Sequence, residues 1–523
     1  MRRPMTDRKP VRLCLILLGL ALSGGLMALT AQPRSMWIDE LVSVRVARLP
    51  DIAQVLVGVA QLERRPPLYH LLLHGWIGLT GESDLALRAF SILVALLALV
   101  LTYFVARELA GERLAVTSLY LVGLSPFFIL YAPMVRYYSL TMALGLLSMW
   151  FFLRLQQRPS GANWAGYGLS TALLVYTDYA ALSLLLVQNI LVWIWPVYRS
   201  LLRREKAPAH RFPVPLWPWL VSQAVMACLL ASWSLAIAMQ VERGRLDADL
   251  STSALGYLIK LVYPVYSFSL GETLFPWTAP AIIGLALGLF LWGSGIAWWR
   301  RQPGGPLVAL CLLVPLGFTI FVLSTVATDI TFLNVPSRTF FALPYFAMVL
   351  AGGLWRVSRP ALRGLLALGL VVVWGYGLAN IYGGVEYHNP IYAVPMRQVA
   401  SQVRAEARPG DVIFSDVDTG FDYYYRQAPQ PAPSLPAGDA AAAVAYLNEH
   451  RPQRVWLLTF GRDRTREITP VELVERLAAG YSAASVQGYV EQDPTYRTIK
   501  QRLFGRPAYP YKLVVQQYEA SQP

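Results

Sequence analysis

The sequence predicts a mainly α, polytopic membrane helix bundle followed by a small α/β domain. Three observations predict it. Of 523 residues, 55% are hydrophobic and only 15% are charged, against about 25% charged in an ordinary soluble chain. About eleven apolar runs are long enough, or nearly so, for the roughly 20 residues that cross a bilayer. Past Gly383 the pattern changes to short apolar stretches alternating with amphipathic ones, the mark of strands alternating with helices.

The runs fall near 11–31, 86–106, 114–132, 138–154, 164–177, 180–198, 216–239, 278–299, 306–326, 339–355 and 363–382. The first follows Arg2, Arg3, Arg8, Lys9 and Arg12 like a signal peptide, but no clean small-residue cleavage site follows, so it reads as a retained helix. Every second break is basic: Arg107/Arg113, Arg154/Arg158, Arg199 to Arg211, Arg300/Arg301 and Arg356/Arg359/Arg363. Basic loops stay in the cytoplasm. The N-terminus is therefore expected inside. Loops 32–85, 239–277 and 327–338, and the tail from 383, are expected outside. The chain divides into a membrane module, 1–382, and an extracytoplasmic domain, 383–523.

Loop 32–85 carries apolar residues at helical spacing in Val42–Ala47 and Ile52–Leu62, interrupted by Pro50, as interfacial helices do. In the tail, Pro409-Gly410-Asp411 reads as a turn, Val412–Ser415 as a strand and Ala440–His450 as a helix. Arg454–Thr459 reads as a second strand and Val471–Ala479 as a second helix. Pro429–Pro436 is a proline-rich loop. This domain shows no coherent site of its own and is expected to shape acceptor access.

The net charge of +14 is explained by the topogenic arginines, and no nucleic-acid motif accompanies it. Cys14, Cys228 and Cys311 lie in apolar runs without zinc or disulfide spacing. Five groups on the outward side carry potential chemistry. Asp39-Glu40 follows the first span directly. Arg64-Arg65-Pro66-Pro67-Leu68-Tyr69-His70 enters an apolar run. Tyr131-Ala-Pro-Met-Val-Arg136-Tyr137-Tyr138 joins two spans. Asp178 sits in the tight turn Tyr176-Thr177-Asp178-Tyr179. Arg338 follows Asn334-Val-Pro336-Ser337 and opens a late span. Ionisable residues at membrane depth are costly and usually functional. Each also has a structural reading. Asp39 can cap a helix, Arg65 can snorkel, Arg136 and Arg338 can pair with Asp39, Glu40 or Asp178, and the tyrosines can form an interfacial belt. Taken together they offer a carboxylate base for a hydroxyl, planar guanidiniums for phosphate and aromatic rings for a sugar.

Trp37-Ile-Asp39-Glu40, Arg65-Pro66-Pro67-Leu68-Tyr69 and Ser125-Pro126…Tyr131-Ala132…Arg136-Tyr137-Tyr138-Ser139 resemble the family-39 glycosyltransferases of the GT-C superfold. That group includes the protein O-mannosyltransferases and the aminoarabinose transferases acting on lipid A. The resemblance covers roughly residues 30–355. It implies an inverting transfer of a sugar from a polyprenyl-phosphate donor to an acceptor hydroxyl on protein, lipid or glycan, at the outer face of a bacterial cytoplasmic membrane. It makes Asp39 the base, with Glu40 as the second acid, and sets Arg65 towards the lipid phosphate. Arg136 matches the arginine of an Arg-x-Tyr element, and Arg338 the arginine of a late span. Two positions depart from the pattern. Arg64 stands where the aminoarabinose branch can carry an acid implicated in metal binding, so no cofactor is certain and a divalent metal is left open. Asp178 stands where relatives often have a basic residue or histidine.

Asp247-Ala-Asp249 and Asp416-Val-Asp418 mimic nucleotide-sugar motifs, and Asp418-Thr-Gly420 mimics an aspartic-protease motif, but such short patterns recur by chance. No phosphate-binding glycine loop is present. The rival readings are a transporter or lipid flippase, expected to show midplane acids and symmetric halves, and a non-catalytic scaffold of envelope assembly.

Overall fold

A computed structural model describes residues 9–31, 34–194, 214–246, 254–325, 335–415, 420–461, 471–504 and 509–521. It divides into two compact units, Met1–Gln32 with Ser43–Tyr382, and Pro33–Val42 with Gly383–Pro523. Pro33–Val42, read from sequence as the start of the first outward loop, thus groups with the C-terminal residues.

The first unit is helical: α1 Lys9–Ala31, α2 Ile38–Ala47 (its first residues in the second unit), α3 Ile52–Leu62, α4 Leu68–Thr80, α5 Asp84–Ala110, α6 Glu112–Gly123, α7 Pro126–Tyr131, α8 Tyr138–Gln157, α9 Gly161–Val175 and α10 Leu182–Asn189. It continues with α11 Leu216–Ser232, α12 Ser234–Leu246, α13 Ala254–Leu270, α14 Ala279–Trp299, α15 Gly305–Thr325, α16 Val335–Arg338, α17 Leu343–Arg356 and α18 Pro360–Gly383. At 1.5 Å per residue, the 23 residues of α1 reach roughly 35 Å, enough for a hydrocarbon core of about 30 Å. Among the described residues five helices are long and apolar enough to cross a membrane, and a sixth if α11 and α12, bent by 57°, are one span. The chain is a multi-pass membrane protein; the shorter apolar helices leave the expected count of about eleven unsettled.

Several expected spans are broken, for local reasons. The run at 114–132 is two helices, because Pro126 has no N–H to donate and instead opens α7 at its first turn. The run at 180–198 begins as a 3₁₀ turn at Tyr179–Ala181 and passes through α10 into a wider π turn at Ile190–Ile194. Loop 239–277 contains α13, with Pro264 inside it. Loop 32–85 holds the expected Ile52–Leu62 helix, closed at its start by the Asp51 carboxylate accepting the Gln54 N–H at 2.8 Å, and also α4, which the sequence reading took as loop.

The second unit adds α19 Met396–Glu406, α20 Gly420–Tyr425, α21 Ala440–His450, α22 Val471–Gly480 and α23 Pro494–Phe504. Its strands are β1 Val412–Ser415, β2 Ser434–Pro436, β3 Arg454–Phe460, β4 Tyr481–Glu491 and β5 Tyr511–Ala520, in the sheet order β2-β1-β3-β5-β4. β1 pairs in parallel with β2 and β3; β5 runs antiparallel between β3 and β4. Alternate strand residues face opposite sides. Ile413, Trp456 and Leu458 pack with Val399, Val403, Phe421 and Tyr425. Val412, Phe414, Val455 and Leu457 pack with Leu447, Leu473 and Leu477. Helices thus cover both faces of the strand pair β1–β3. The Asp247/Asp249 and Asp416/Asp418 pairs, Asn334 and the Arg199–Arg211 break lie outside the described residues.

Candidate active site

In the first unit, three chain segments meet around the Tyr137 ring. The first is the loop between α3 and α4. Pro67 sits at the cap position of α4, and the next N–H, of Leu68, donates to the Tyr176 carbonyl at 2.9 Å. Gln240 of α12 holds the same loop, donating to the carbonyls of Val59 at 3.4 Å and Arg65 at 3.3 Å. Arg65 is therefore fixed at its backbone before its side chain is considered.

The second segment is the turn after α9. Asp178 accepts the Ala180 N–H at 3.1 Å and pairs with Arg65 Nη1. Both side chains are buried. Burial alone would lower the Arg65 guanidinium; the Asp178 charge outweighs it and raises the group above its ordinary value. Arg65 Nη2 and Asp178 Oδ2 are buried and have no hydrogen-bond partner among the described residues.

The third segment is the turn between α7 and α8, which brings Arg136 and Tyr137. Arg136 Nη1 donates to Glu63 Oε1 at 2.6 Å and to Ser43 Oγ at 2.7 Å, while Nη2 lies 3.4 Å from Glu63 Oε2. Glu63 Oε1 also takes Ser43 Oγ at 3.3 Å and His70 Nε2 at 3.2 Å. Burial would raise the Glu63 carboxyl; the Arg136 charge and the His70 hydrogen bond override it and hold it well below the usual carboxylate range. The guanidinium carbons of Arg65 and Arg136 stand 4.6 and 5.4 Å from the Tyr137 ring centroid, within cation–π range. Burial raises the Tyr137 phenol above its ordinary value, and the charges of Arg65 and Arg338 oppose that shift. Tyr138 packs on Tyr137 at 4.8 Å and edge-on to Tyr131 at 5.7 Å.

The structure thus brings together Arg65, His70, Arg136, Tyr137, Tyr138 and Asp178, with Arg338 close enough to act on Tyr137. Arg64 is exposed. Tyr69 is turned into packing with α5, its hydroxyl 3.2 Å from Ser91 Oγ and its ring against Phe90. Arg136 pairs with Glu63, and Arg65 with Asp178.

Sequence reasoning passed over Glu63. An acid beside Arg64 and Arg65 reads as solvated charge. The signal available was its position at the C-cap of α3, where a carboxylate opposes the helix dipole and calls for a cation. Gln240 was also missed, although it follows the apolar Ile237-Ala-Met239. A third is Glu272, buried in the loop before α14, which accepts the Tyr131 hydroxyl at 2.6 Å and whose carboxyl is pushed up to about 8 by burial.

Asp39 and Glu40 belong to the second unit. They are the first-turn acids of α2. Trp37 is the capping residue, since its carbonyl accepts the Leu41 N–H at 3.1 Å, and Glu40 Oε2 reaches back to the Trp37 N–H at 3.2 Å. Asp39 is therefore not the N-cap; Glu40, fully buried, is engaged in the reciprocal part of a capping box, and Asp39 is part-buried. Among the described residues no group of three or more His, Cys, Asp or Glu is placed to hold a metal.

Residues 64–211 match the sequence profile of the dolichyl-phosphate-mannose-protein mannosyltransferase family. No match was found among curated proteins. ArnT from Cupriavidus metallidurans in the apo state is similar at TM-score 0.55 and 13% identity, over 96% of this chain and 97% of that one. ArnT from the same organism bound to undecaprenyl phosphate gives 0.52 and 12%, over the same shares. The GT-C fold expected from the motifs is the fold this chain adopts.

Proposed function

We propose that the protein is an inverting glycosyltransferase that moves a sugar from a polyprenyl-phosphate carrier to an acceptor hydroxyl at the outer face of the cytoplasmic membrane. The observation that carries the reading is the pair of buried guanidiniums on Tyr137, Arg65 paired with Asp178 and Arg136 with Glu63. Arg338 is close enough to act on the same Tyr137. Planar guanidiniums match the oxygens of a phosphodiester monoanion. Arg65 Nη2 is a buried donor suited to one of them. Support for a polyprenyl carrier comes from the fold, shared with ArnT bound to undecaprenyl phosphate.

In the reaction Asp39 takes the proton of the acceptor hydroxyl as the oxygen attacks the sugar carbon from the face opposite the phosphate. The carbon–oxygen bond to phosphate breaks, and the polyprenyl phosphate leaves with the electron pair and a second negative charge. Arg65 and Arg136 stabilise that charge as it develops. The test is transfer by the purified protein from a panel of undecaprenyl-phosphate hexoses and pentoses. Asp39→Asn is expected to lower turnover by about 10²–10⁴-fold, the usual contribution of a general base, with undecaprenyl-phosphate binding retained. Near-wild-type turnover in Asp39→Asn overturns the mechanism.

A further inference from the structure

We propose that the C-terminal domain positions the catalytic acid, with Tyr424 as the principal positioning residue. This rests on the reading of Asp39 as the base. Three consecutive residues ahead of α2 are each tied by a hydrogen bond. Ser35 Oγ accepts the Arg397 N–H at 3.0 Å, the Met36 N–H donates to Tyr424 Oη at 2.8 Å, and the Trp37 N–H donates to Glu40 at 3.2 Å. The Trp37 ring also meets Tyr392 edge-on at 5.0 Å. Three of these four contacts come from the C-terminal domain, and they come from three separate places in it: the Pro390–Ala393 turn, the start of α19, and α20.

The bonds are dry. Met36 is 1% exposed and Tyr424 2%. Met36 precedes the capping residue, so its N–H has no partner within α2. If Tyr424 loses its oxygen, that buried donor is left unsatisfied, and the segment must shift to reach water. Tyr424 is itself held, because Arg397 lies 5.5 Å from its ring centroid and Arg404 Nη2 donates to its carbonyl at 2.5 Å. Asp39 follows two residues after Trp37. Its carboxylate can be placed no better than the backbone that carries it, and an error of about 1 Å at a reacting group can cost about 10²-fold in rate. The C-terminal domain is thus part of the catalytic apparatus, where sequence reasoning assigned it acceptor access alone.

The experiment compares Tyr424→Phe with Tyr489→Phe in the full-length protein. Tyr489 lies in the same domain and donates its hydroxyl to Gln402 at 2.6 Å, so Tyr489→Phe loses a tyrosine hydrogen bond away from the Asp39 segment. Tyr424→Phe is expected to lower kcat at least tenfold, with KM for the undecaprenyl-phosphate sugar within about twofold of wild type. Hydrogen exchange of the amides at 36–41 should rise at least tenfold. Tyr489→Phe should change neither. Unchanged kcat or unchanged exchange in Tyr424→Phe overturns the proposal, and so does an equal loss in Tyr489→Phe, which would signal general loosening. Asp39→Asn separates the two readings. If it is inactive while Tyr424→Phe is normal, the positioning role alone fails. If Asp39→Asn is fully active, the assignment of the base fails and the catalytic role of the anchor falls with it.

Discussion

Glu63→Gln isolates what the buried acid does for Arg136. The substitution keeps size and one acceptor oxygen and removes the charge. Glu63 is 4% exposed and Arg136 6%, so water cannot replace what is lost. Removing one partner of a buried ion pair typically costs about 3–5 kcal/mol. Glutamine retains a hydrogen bond to the charged Arg136, worth about 1.5–3 kcal/mol, so a net loss of about 2 kcal/mol is expected at pH 7. The pH dependence follows from the direction of the shift. The folded Glu63 carboxyl is held below its unfolded value, which is near 4.3. Its contribution is complete above about pH 4.3 and is lost as pH falls towards the folded value. The gap between wild type and Glu63→Gln should therefore be constant from pH 6 to 8 and narrow below about pH 4. Thermal unfolding in detergent, followed by tryptophan fluorescence, measures both. Arg136→Gln and the double variant complete a cycle, and the double variant should be more stable than the sum of the singles predicts by at least about 1 kcal/mol. Strict additivity, or a gap that widens on acidification, refutes the pairing.

Three further outcomes are expected. Arg65→Ala should raise KM for the lipid donor at least tenfold or abolish turnover, since it removes a charge-assisted contact; unchanged donor dependence assigns Arg65 to packing. Gln240→Ala, by freeing the carbonyls of Val59 and Arg65, should raise the same KM by a smaller factor and leave the kcat of the saturated enzyme within about twofold. The raised Glu272 carboxyl favours its protonated form in the fold, so its contribution is full below about pH 4.3 and declines as pH rises through about 8; Glu272→Gln should abolish that slope in an unfolding titration from pH 5 to 9, and a retained slope places its origin elsewhere.

The boundaries that sequence made legible are those set by local chemistry. Ile52–Leu62 and Ala440–His450 were expected at the very residues observed, because Asp51 and Asp439 each accept the N–H three residues on. The Val412–Ser415 strand was equally clear, a short apolar run after Pro409-Gly410-Asp411. What stayed hidden depends on distant partners. β5, which begins with the polar-flanked Tyr511-Lys512, is a strand because β3 and β4 lie on either side of it. α13, which carries Pro264 inside it, lies in the stretch 239–277 that was read as a loop between spans. Within the site, Arg65, Arg136 and Asp178 were found because charge is conspicuous beside apolar spans. Their pairing was not, since Arg65 and Asp178 are 113 residues apart and Arg136 and Glu63 are 73 apart.

The paired arrangement also makes a demand on energetics. Buried like charges repel, and the Arg136 charge does oppose the protonated form of Arg65. Glu63 and Asp178 offset part of that cost. On the proposed reading a phosphate monoanion binds these guanidiniums and adds negative charge beside them, so ligand binding and folding stability must be linked. A ligand that binds only the native state adds about 2.7 kcal/mol at one hundred times its Kd. Undecaprenyl phosphate should therefore raise the unfolding midpoint of the purified protein, while undecaprenol, with the same tail and no charge, should raise it far less. Arg65→Ala should lose most of the difference between the two lipids. Since these charges are buried, the difference should also persist as salt is raised to 0.5 M, where exposed pairs are largely screened. Equal stabilisation by the phosphate and the alcohol would mean that the protein recognises only the tail, and would remove the arginine cluster from donor binding.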